Sequence, residues 1–96
     1  MSKLNIVAIF TIKPEYHTEF QTEFKKIVEG SRQEEGCIQY DLNQDVKDPN
    51  TYVFIETWQS RQAIDIHNTQ AHYKQFAKFA EGKVAKKTVH VMKQVI

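Results

Sequence analysis

The sequence has little of what marks a disulfide scaffold, a membrane span or a nucleic-acid-binding surface. Its single cysteine, Cys37, cannot form an internal disulfide. Thirteen basic and twelve acidic residues give a net charge of +1 with no block of one sign, which argues against nucleic-acid or anionic-membrane partners. No apolar run approaches the roughly 18 residues of a membrane-spanning helix. Residues 1–5 lack the apolar core of a signal peptide. These absences predict a cytoplasmic protein.

Glycine is also scarce. Three glycines in 96 residues leave no glycine-rich phosphate loop and no nicotinamide or flavin fingerprint. If the protein oxidises something, it must do so without the usual nucleotide cofactors, and we predict no cofactor. The length and the hydrophobic share of 41% suit one domain spanning residues 1–96.

Hydrophobic periodicity predicts four strands and a helix after each of the first and third. Pro14 suits the first position of a helix whose apolar stripe includes Phe20 and Phe24. Ser60 can cap the second helix, which a break at Asn68-Thr69 divides, and Thr69 can cap its second piece. The predicted strands are residues 4–12, 37–44, 51–59 and 86–95, and the predicted helices run from Pro14, from about Arg61, and from Thr69 to about Glu81.

This order, β-α-β-β-α-β, is that of an α+β ferredoxin-like fold with an antiparallel sheet. Two helices can cover only one face of such a sheet. Yet the first strand is apolar on both faces, with Ile6 and Ala8 on one and Val7 and Ile9 on the other. Because a solvent-exposed face should be polar, the second face needs cover. A second copy of the sheet is the simplest cover, so we predict a homodimer.

Glu56 is a candidate catalytic residue on the third strand. Phe54, Glu56 and Trp58 share one face of that strand. A carboxyl group buried among aromatic side chains is costly and would have a raised pKa, which suits a proton donor or acceptor. Trp58 and Phe54 would shape a ligand cavity. The alternative places Glu56 at the sheet edge, in water or paired with a lysine.

His67 and His72 are the other candidate catalytic residues, because histidine titrates near neutrality. On an unbroken helix they would diverge by roughly 140°, so they can share a site only if the helix breaks between them. Alternatively, His67 faces the core and His72 caps a helix or lies at the surface. We predict no metal site, because neither histidine has a fixed carboxylate or cysteine partner at ligand spacing.

Two tyrosines and the cysteine complete the candidates. Tyr40 and Tyr73 could donate hydrogen bonds to a carbonyl or phenol of a substrate, although Tyr40 also suits a buried structural position. Cys37 follows two acids, Glu34 and Glu35, which would raise its pKa. A catalytic cysteine needs a depressed pKa, so we interpret Cys37 as structural.

One ordered set of motifs carries a family resemblance. The set is Glu34-Glu35-Gly36-Cys37, then Tyr40, Glu56-Thr57-Trp58, His67 and Ala71-His72-Tyr73. With the order of strands and helices around it, this set resembles the antibiotic-biosynthesis-monooxygenase family of small dimeric α+β barrel proteins.

The resemblance implies a barrel of two sheets and a cofactor-independent monooxygenase. Such enzymes oxidise quinols and anthrone-like phenols with molecular oxygen. The resemblance also implies that His72 or Glu56 transfers protons, that His67 contributes, and that Trp58 lies near the substrate cavity.

Three other functions stay open at this point. The stretch from Gln33 to Gly36, the segment 69–74 and the histidine pair also resemble the branch that processes phosphorylated autoinducer-2. That substrate needs a cationic pocket, for which the candidates are Lys74, Lys78, Lys86 and Lys87. A haem-degrading branch is disfavoured, because its axial histidine would fall near Phe76. A non-catalytic dimeric binding module has the same fold.

Overall fold

The computed structural model describes residues 2–96, which form four strands, three α-helices and one turn of 3-10 helix. The elements are β1 (Leu4–Ile12), the 3-10 turn (Pro14–Tyr16), α1 (His17–Arg32), β2 (Cys37–Gln44), β3 (Thr51–Trp58), α2 (Arg61–His67), α3 (Ala71–Ala80) and β4 (Val84–Met92). The strands pair antiparallel in the order β2-β3-β1-β4. The predicted ferredoxin-like α+β fold is confirmed. In residues 2–96, no helix has the length and apolar character needed to span a membrane.

The core lies between the sheet and the helices. Alternate residues of β1 are buried, and Ala8 pairs with Phe54 of β3 on one side and with Val89 of β4 on the other. From α1, Phe20 and Phe24 are 0% and 3% exposed. The Phe24 ring lies 5.9 Å from that of Phe54, at 71°, in an edge-to-face contact. The apolar stripe predicted for α1 therefore packs on the alternating face of the sheet.

The predicted helix break is present, but one of the two predicted helix caps beside it differs from the prediction. The Ser60 hydroxyl accepts a hydrogen bond from the Ala63 amide at 3.1 Å and caps α2 as expected. α2 ends at His67. The Thr69 cap is wrong: its hydroxyl donates to the Ile66 carbonyl at 2.7 Å, and Gln70 occupies the N-cap of α3. Thr69 thus completes the end of α2 rather than starting α3.

The last strand begins and ends earlier than predicted. It spans Val84–Met92, directly after a turn in which Gly82 has a φ of 74°. Val95, predicted as a strand residue, lies beyond it and is 87% exposed. Val89 and Val91 pair with β1 on its helix-covered face, yet they are 48% and 44% exposed. The helices therefore leave the β4 side of the sheet partly open.

The face of the sheet opposite the helices carries an apolar centre. Val7 pairs with Ile55 and Ile9 pairs with Val53 across β1 and β3. Ile55 is 39% exposed, and the other three are half-buried. These four residues, called here the open-face patch, are not covered by any other described element of the chain.

Candidate active site

A cavity of about 470 Å³ lies between the helix-covered face of the sheet and the helices α2 and α3. This size is within the range of small-molecule sites. Its walls include apolar side chains such as Phe10 and Phe76. Five of the seven predicted site residues line it: Tyr40, Phe54, Glu56, His67 and Tyr73. The other two, Trp58 and His72, do not line it.

Glu56 and Trp58 form a buried hydrogen-bonded pair. The Trp58 indole N–H donates to Oε1 of Glu56 at 2.8 Å, and the two residues are 0% and 5% exposed. Because β3 is an interior strand, the alternative position of Glu56 at the sheet edge is wrong. Burial raises the pKa of Glu56 to about 7, against the lowering effect of the Trp58 hydrogen bond and with a smaller raising effect from Glu34. Glu56 can therefore exchange a proton near neutral pH.

His67 ends α2 with its imidazole in an aromatic enclosure. Its ring centroid lies 4.5 Å from that of Trp58, 5.1 Å from Tyr73 and 5.6 Å from Tyr40. The side chain is 3% exposed. Burial lowers the pKa of His67 below its ordinary 6.5, partly offset by the nearby Glu34 carboxylate. At neutral pH His67 is therefore uncharged and able to accept a proton.

His72 lies beside His67 and does not line the cavity. The two rings are 5.9 Å apart, so the helix break does bring the histidines together. The His72 ring packs against Gly30 of α1, where an added Cβ would lie 2.6 Å from Cγ of His72. Only the absence of a side chain at Gly30 permits this approach.

Glu34, in the segment between α1 and β2, connects the two histidines and was not predicted as a site residue. Its Oε2 lies 2.6 Å from Nδ1 of His67 and 2.6 Å from Nε2 of His72. The side chain is 9% exposed. The sequence signal was an acid within the Glu34-Glu35-Gly36-Cys37 motif. Nothing in the spacing connects it with histidines 33 and 38 positions away.

The same three residues are a set that a metal ion could use. Among the described residues, Glu34, His67 and His72 offer three ligand atoms within 4.8 Å of one another. The premise that the histidines lack a carboxylate partner is therefore wrong. In a tetrahedral zinc site, however, ligand atoms at about 2.1 Å from the ion lie roughly 3.4 Å apart. The nitrogen–oxygen distances of 2.6 Å are those of hydrogen bonds, so the cluster would have to open to admit an ion.

Two further groups behave as the sequence indicated. Burial, followed by the Glu34 charge, raises the pKa of the Cys37 thiol to about 11, so it is not an activated nucleophile. Burial, followed by the Glu56 charge, raises the pKa of Tyr40, which keeps its hydroxyl protonated. Tyr40 is 3% exposed in the cavity wall.

Comparisons with known proteins agree with this fold. The sequence pattern of the family described as "Antibiotic biosynthesis monooxygenase" matches residues 4–78. The chain is 42% identical over 76 residues to "Putative monooxygenase YcnE" of Bacillus subtilis (strain 168), a match that covers 79% of this chain and 78% of that protein. The chain therefore belongs to the antibiotic biosynthesis monooxygenase family.

Solved structures share the whole fold. A crystal structure of an antibiotic biosynthesis monooxygenase superposes with a TM-score of 0.92 and 36% identity, and the match covers 97% of this chain and 99% of the other. The crystal structure of PA3566 from Pseudomonas aeruginosa also gives a TM-score of 0.92, at 27% identity over 100% of this chain and 97% of that one. The fold and a monooxygenase-like function are thereby supported.

Proposed function

We propose that the protein is a cofactor-independent monooxygenase that oxidises a quinol or an anthrone-like phenol with molecular oxygen. The observation that carries this is an apolar cavity in which a neutral histidine, His67, and a carboxyl group with a pKa of about 7, Glu56, are both present. A base and an acid in one apolar cavity are the groups that this chemistry requires.

The reaction begins with the removal of a proton from the bound phenol. Deprotonation makes the substrate an electron-rich anion, which can reduce oxygen itself. We assign this step to His67, because it lines the cavity and His72 does not. This replaces the expectation that His72 is the stronger candidate.

The second half of the reaction needs a proton donor. Once oxygen has added to the substrate carbon, breaking the O–O bond releases one oxygen atom as water, and the other becomes a carbonyl oxygen. The two hydrogens of that water come from the substrate, through His67 and Glu56. Glu56 suits this step because its pKa is near neutrality and Trp58 holds its Oε1. Phe54, Tyr40 and Tyr73 would hold the flat ring of the substrate.

The test is oxygen uptake with a panel of reduced naphthoquinols and anthrones, without added metal or flavin. Heat-inactivated protein controls for spontaneous oxidation. We expect uptake above this control in the wild type and a loss of it in His67→Gln. The matched control is His17→Gln: His17 lies outside the cavity, 2.9 Å from the Tyr52 hydroxyl. Equal rates in wild type and His67→Gln would remove His67 from the mechanism.

A second candidate function is favoured by charges at the cavity. Of the lysines considered for a phosphate site, Lys86 and Lys87 line the cavity, together with Arg61. These cations would suit a phosphorylated substrate such as autoinducer-2. Conversion of that substrate without oxygen uptake would favour the isomerase. Saturable ligand binding without turnover of either substrate would favour the binding module.

The assembly we propose is a homodimer joined through the open-face patch. Val7, Ile9, Val53 and Ile55 form an apolar centre that a second copy of the sheet would cover. The cytoplasmic location and the single domain over residues 1–96 stay predictions.

A further inference from the structure

We propose that Glu34 is a positioning residue that fixes the tautomer of His67, with the proton on Nδ1 and the free electron pair on Nε2 facing the cavity. The tautomer is a property of the folded protein, and its catalytic consequence rests on the proposed monooxygenase function.

The hydrogen-bond geometry requires this tautomer. Oε2 of Glu34 lies 2.6 Å from Nδ1 of His67, a short hydrogen bond of the kind that an ionised acceptor makes. An ionised carboxylate can only accept, so Nδ1 must carry the proton. A neutral imidazole has one N–H, so Nε2 of His67 is then unprotonated and is the only basic atom of the ring.

Nε2 of His67 is also the ring atom with access to open space. It makes no hydrogen bond to any described residue. Among the described residues, the fully enclosed side-chain nitrogen and oxygen atoms without a partner are Oγ of Ser31 and Oε1 of Glu34. Nε2 of His67 is not one of them, so it is not fully enclosed, and we infer that it faces the cavity that His67 lines.

His72 holds Glu34 in place from the other side. Its Nε2 lies 2.6 Å from the same carboxylate oxygen and, by the same reasoning, donates its proton. Because Oε1 of Glu34 has no partner, the two imidazole N–H groups are the side-chain donors that hold this carboxylate. Gly30 allows the His72 ring to reach this position. His72 is therefore assigned to positioning rather than to contact with substrate.

The Glu34–His67 hydrogen bond would also assist proton transfer from the substrate. When Nε2 of His67 accepts the phenolic proton, the resulting imidazolium faces the Glu34 carboxylate, which stabilises the new positive charge. In a serine-protease triad, the aspartate carboxylate orients the histidine in the same way. The titratable groups around His67 are Glu34, His72 and Tyr73 from the helical layer, Tyr40 from β2, and Glu56 from β3, which shares the cavity.

The direct test is nitrogen-15 NMR of the histidine rings at a pH where His67 is neutral. Long-range proton–nitrogen spectra distinguish the two tautomers. We expect His67 in the wild type to be protonated at Nδ1. In Glu34→Gln we expect the His67 pKa to fall and the Nε2-protonated tautomer to appear. Glu35→Gln is the matched control, because it removes the same charge from the neighbouring exposed residue, and we expect no change there. An Nε2-protonated His67 in the wild type would overturn the proposal.

The kinetic test separates this inference from the proposed function. With a substrate that the protein oxidises, Glu34→Gln is expected to lower kcat roughly 10- to 100-fold, which is less than the full 10²–10⁴-fold contribution of general-base catalysis. KM should change little, and the acidic limb of the pH profile should move to lower pH. A loss of activity in His67→Gln with a wild-type pH profile in Glu34→Gln would reject the positioning role and keep the function. The expected tautomer with no substrate oxidised would keep the positioning and reject the function.

Both tests require that the Glu34 variant is folded, which circular dichroism measures. If circular dichroism shows that Glu34→Gln is unfolded, Glu34→Asp retains the charge and shortens the side chain by one methylene, which breaks the two 2.6 Å contacts. Glu34→Asp is expected to mix the His67 tautomers. A wild-type tautomer in a folded Glu34→Asp protein would contradict the proposal.

Discussion

His67 and Glu34 are 33 positions apart in the sequence, yet Nδ1 of the one and Oε2 of the other lie 2.6 Å apart. Glu34 follows the C-terminal end of α1, and His67 is the last residue of α2. The contact therefore joins the two helical segments that cover the sheet. Through the same carboxylate oxygen, it also connects the cavity, which His67 lines, to His72, which does not line it.

Gly30→Ala tests how closely the helices must approach for this contact. An alanine Cβ would lie 2.6 Å from the His72 ring, so the ring must move and its hydrogen bond to Glu34 must break. We expect a loss of about 1–3 kcal/mol in the free energy of unfolding from overpacking. The better helix propensity of alanine, worth about 1 kcal/mol, offsets part of it. Urea unfolding measures the net change in the free energy of unfolding. A variant more stable than the wild type would contradict the close contact.

Glu56→Gln tests the raised pKa of the buried carboxyl group. The unfolded chain loses this proton near pH 4.5, whereas the folded protein keeps it until about pH 7. The folded state therefore binds more protons in this window, and the Glu56 contribution to stability falls as the pH rises through it. At 1.36 kcal/mol per pKa unit, the fall is at most about 3 kcal/mol.

The measurement is the free energy of unfolding of wild type and Glu56→Gln from about pH 4.5 to about pH 8. Glutamine keeps an oxygen that can accept from Trp58 and cannot titrate. The wild type should lose stability relative to the variant as the pH rises. A constant difference across this range would show that the pKa of Glu56 is not raised.

Trp58→Phe removes the indole N–H that Oε1 of Glu56 accepts. This hydrogen bond lowers the pKa of Glu56, so its loss should raise that pKa above about 7. A buried acceptor left without its donor also costs about 1–3 kcal/mol in stability. Carbon-13 NMR titration of the Glu56 carboxyl group measures the pKa directly. An unchanged or lower value in Trp58→Phe would contradict the assignment.

Much of this fold could be predicted from the sequence. The alternation of apolar residues in a strand and their spacing in a helix indicate which positions are buried. The buried positions of β1 and the phenylalanines of α1 are examples. The two-residue repeat of a strand placed Glu56 on the same face as Trp58, whereas the burial of Glu56 was established by the structure. Glu34 could not be identified in this way, because its role depends on a contact between helices distant in the sequence. Thr69 was misassigned because a threonine at a helix break can serve either neighbouring helix, and the path of the backbone decides between them.

Ile55→Lys tests the proposed homodimer. Ile55 lies in the open-face patch opposite Val7 and is 39% exposed in the single chain. A lysine there would be solvated in a monomer but buried without a partner in a dimer. Light scattering after gel filtration should show a dimer for the wild type and a monomer for the variant. The matched control is Ile66→Lys, which makes the same substitution on the exposed side of α2, where Ile66 is 51% exposed. A monomeric wild type would contradict the dimer.

The most direct test of the proposed monooxygenase reaction uses oxygen-18 gas with the best quinol or anthrone substrate. Wild type, His67→Gln and His17→Gln would be compared without added metal or flavin, and spontaneous oxidation would be subtracted. We expect wild type and His17→Gln to place one labelled oxygen atom in the product, and we expect His67→Gln not to exceed the spontaneous rate. Equal labelling by all three proteins, or none by the wild type across the panel, would contradict the proposed reaction.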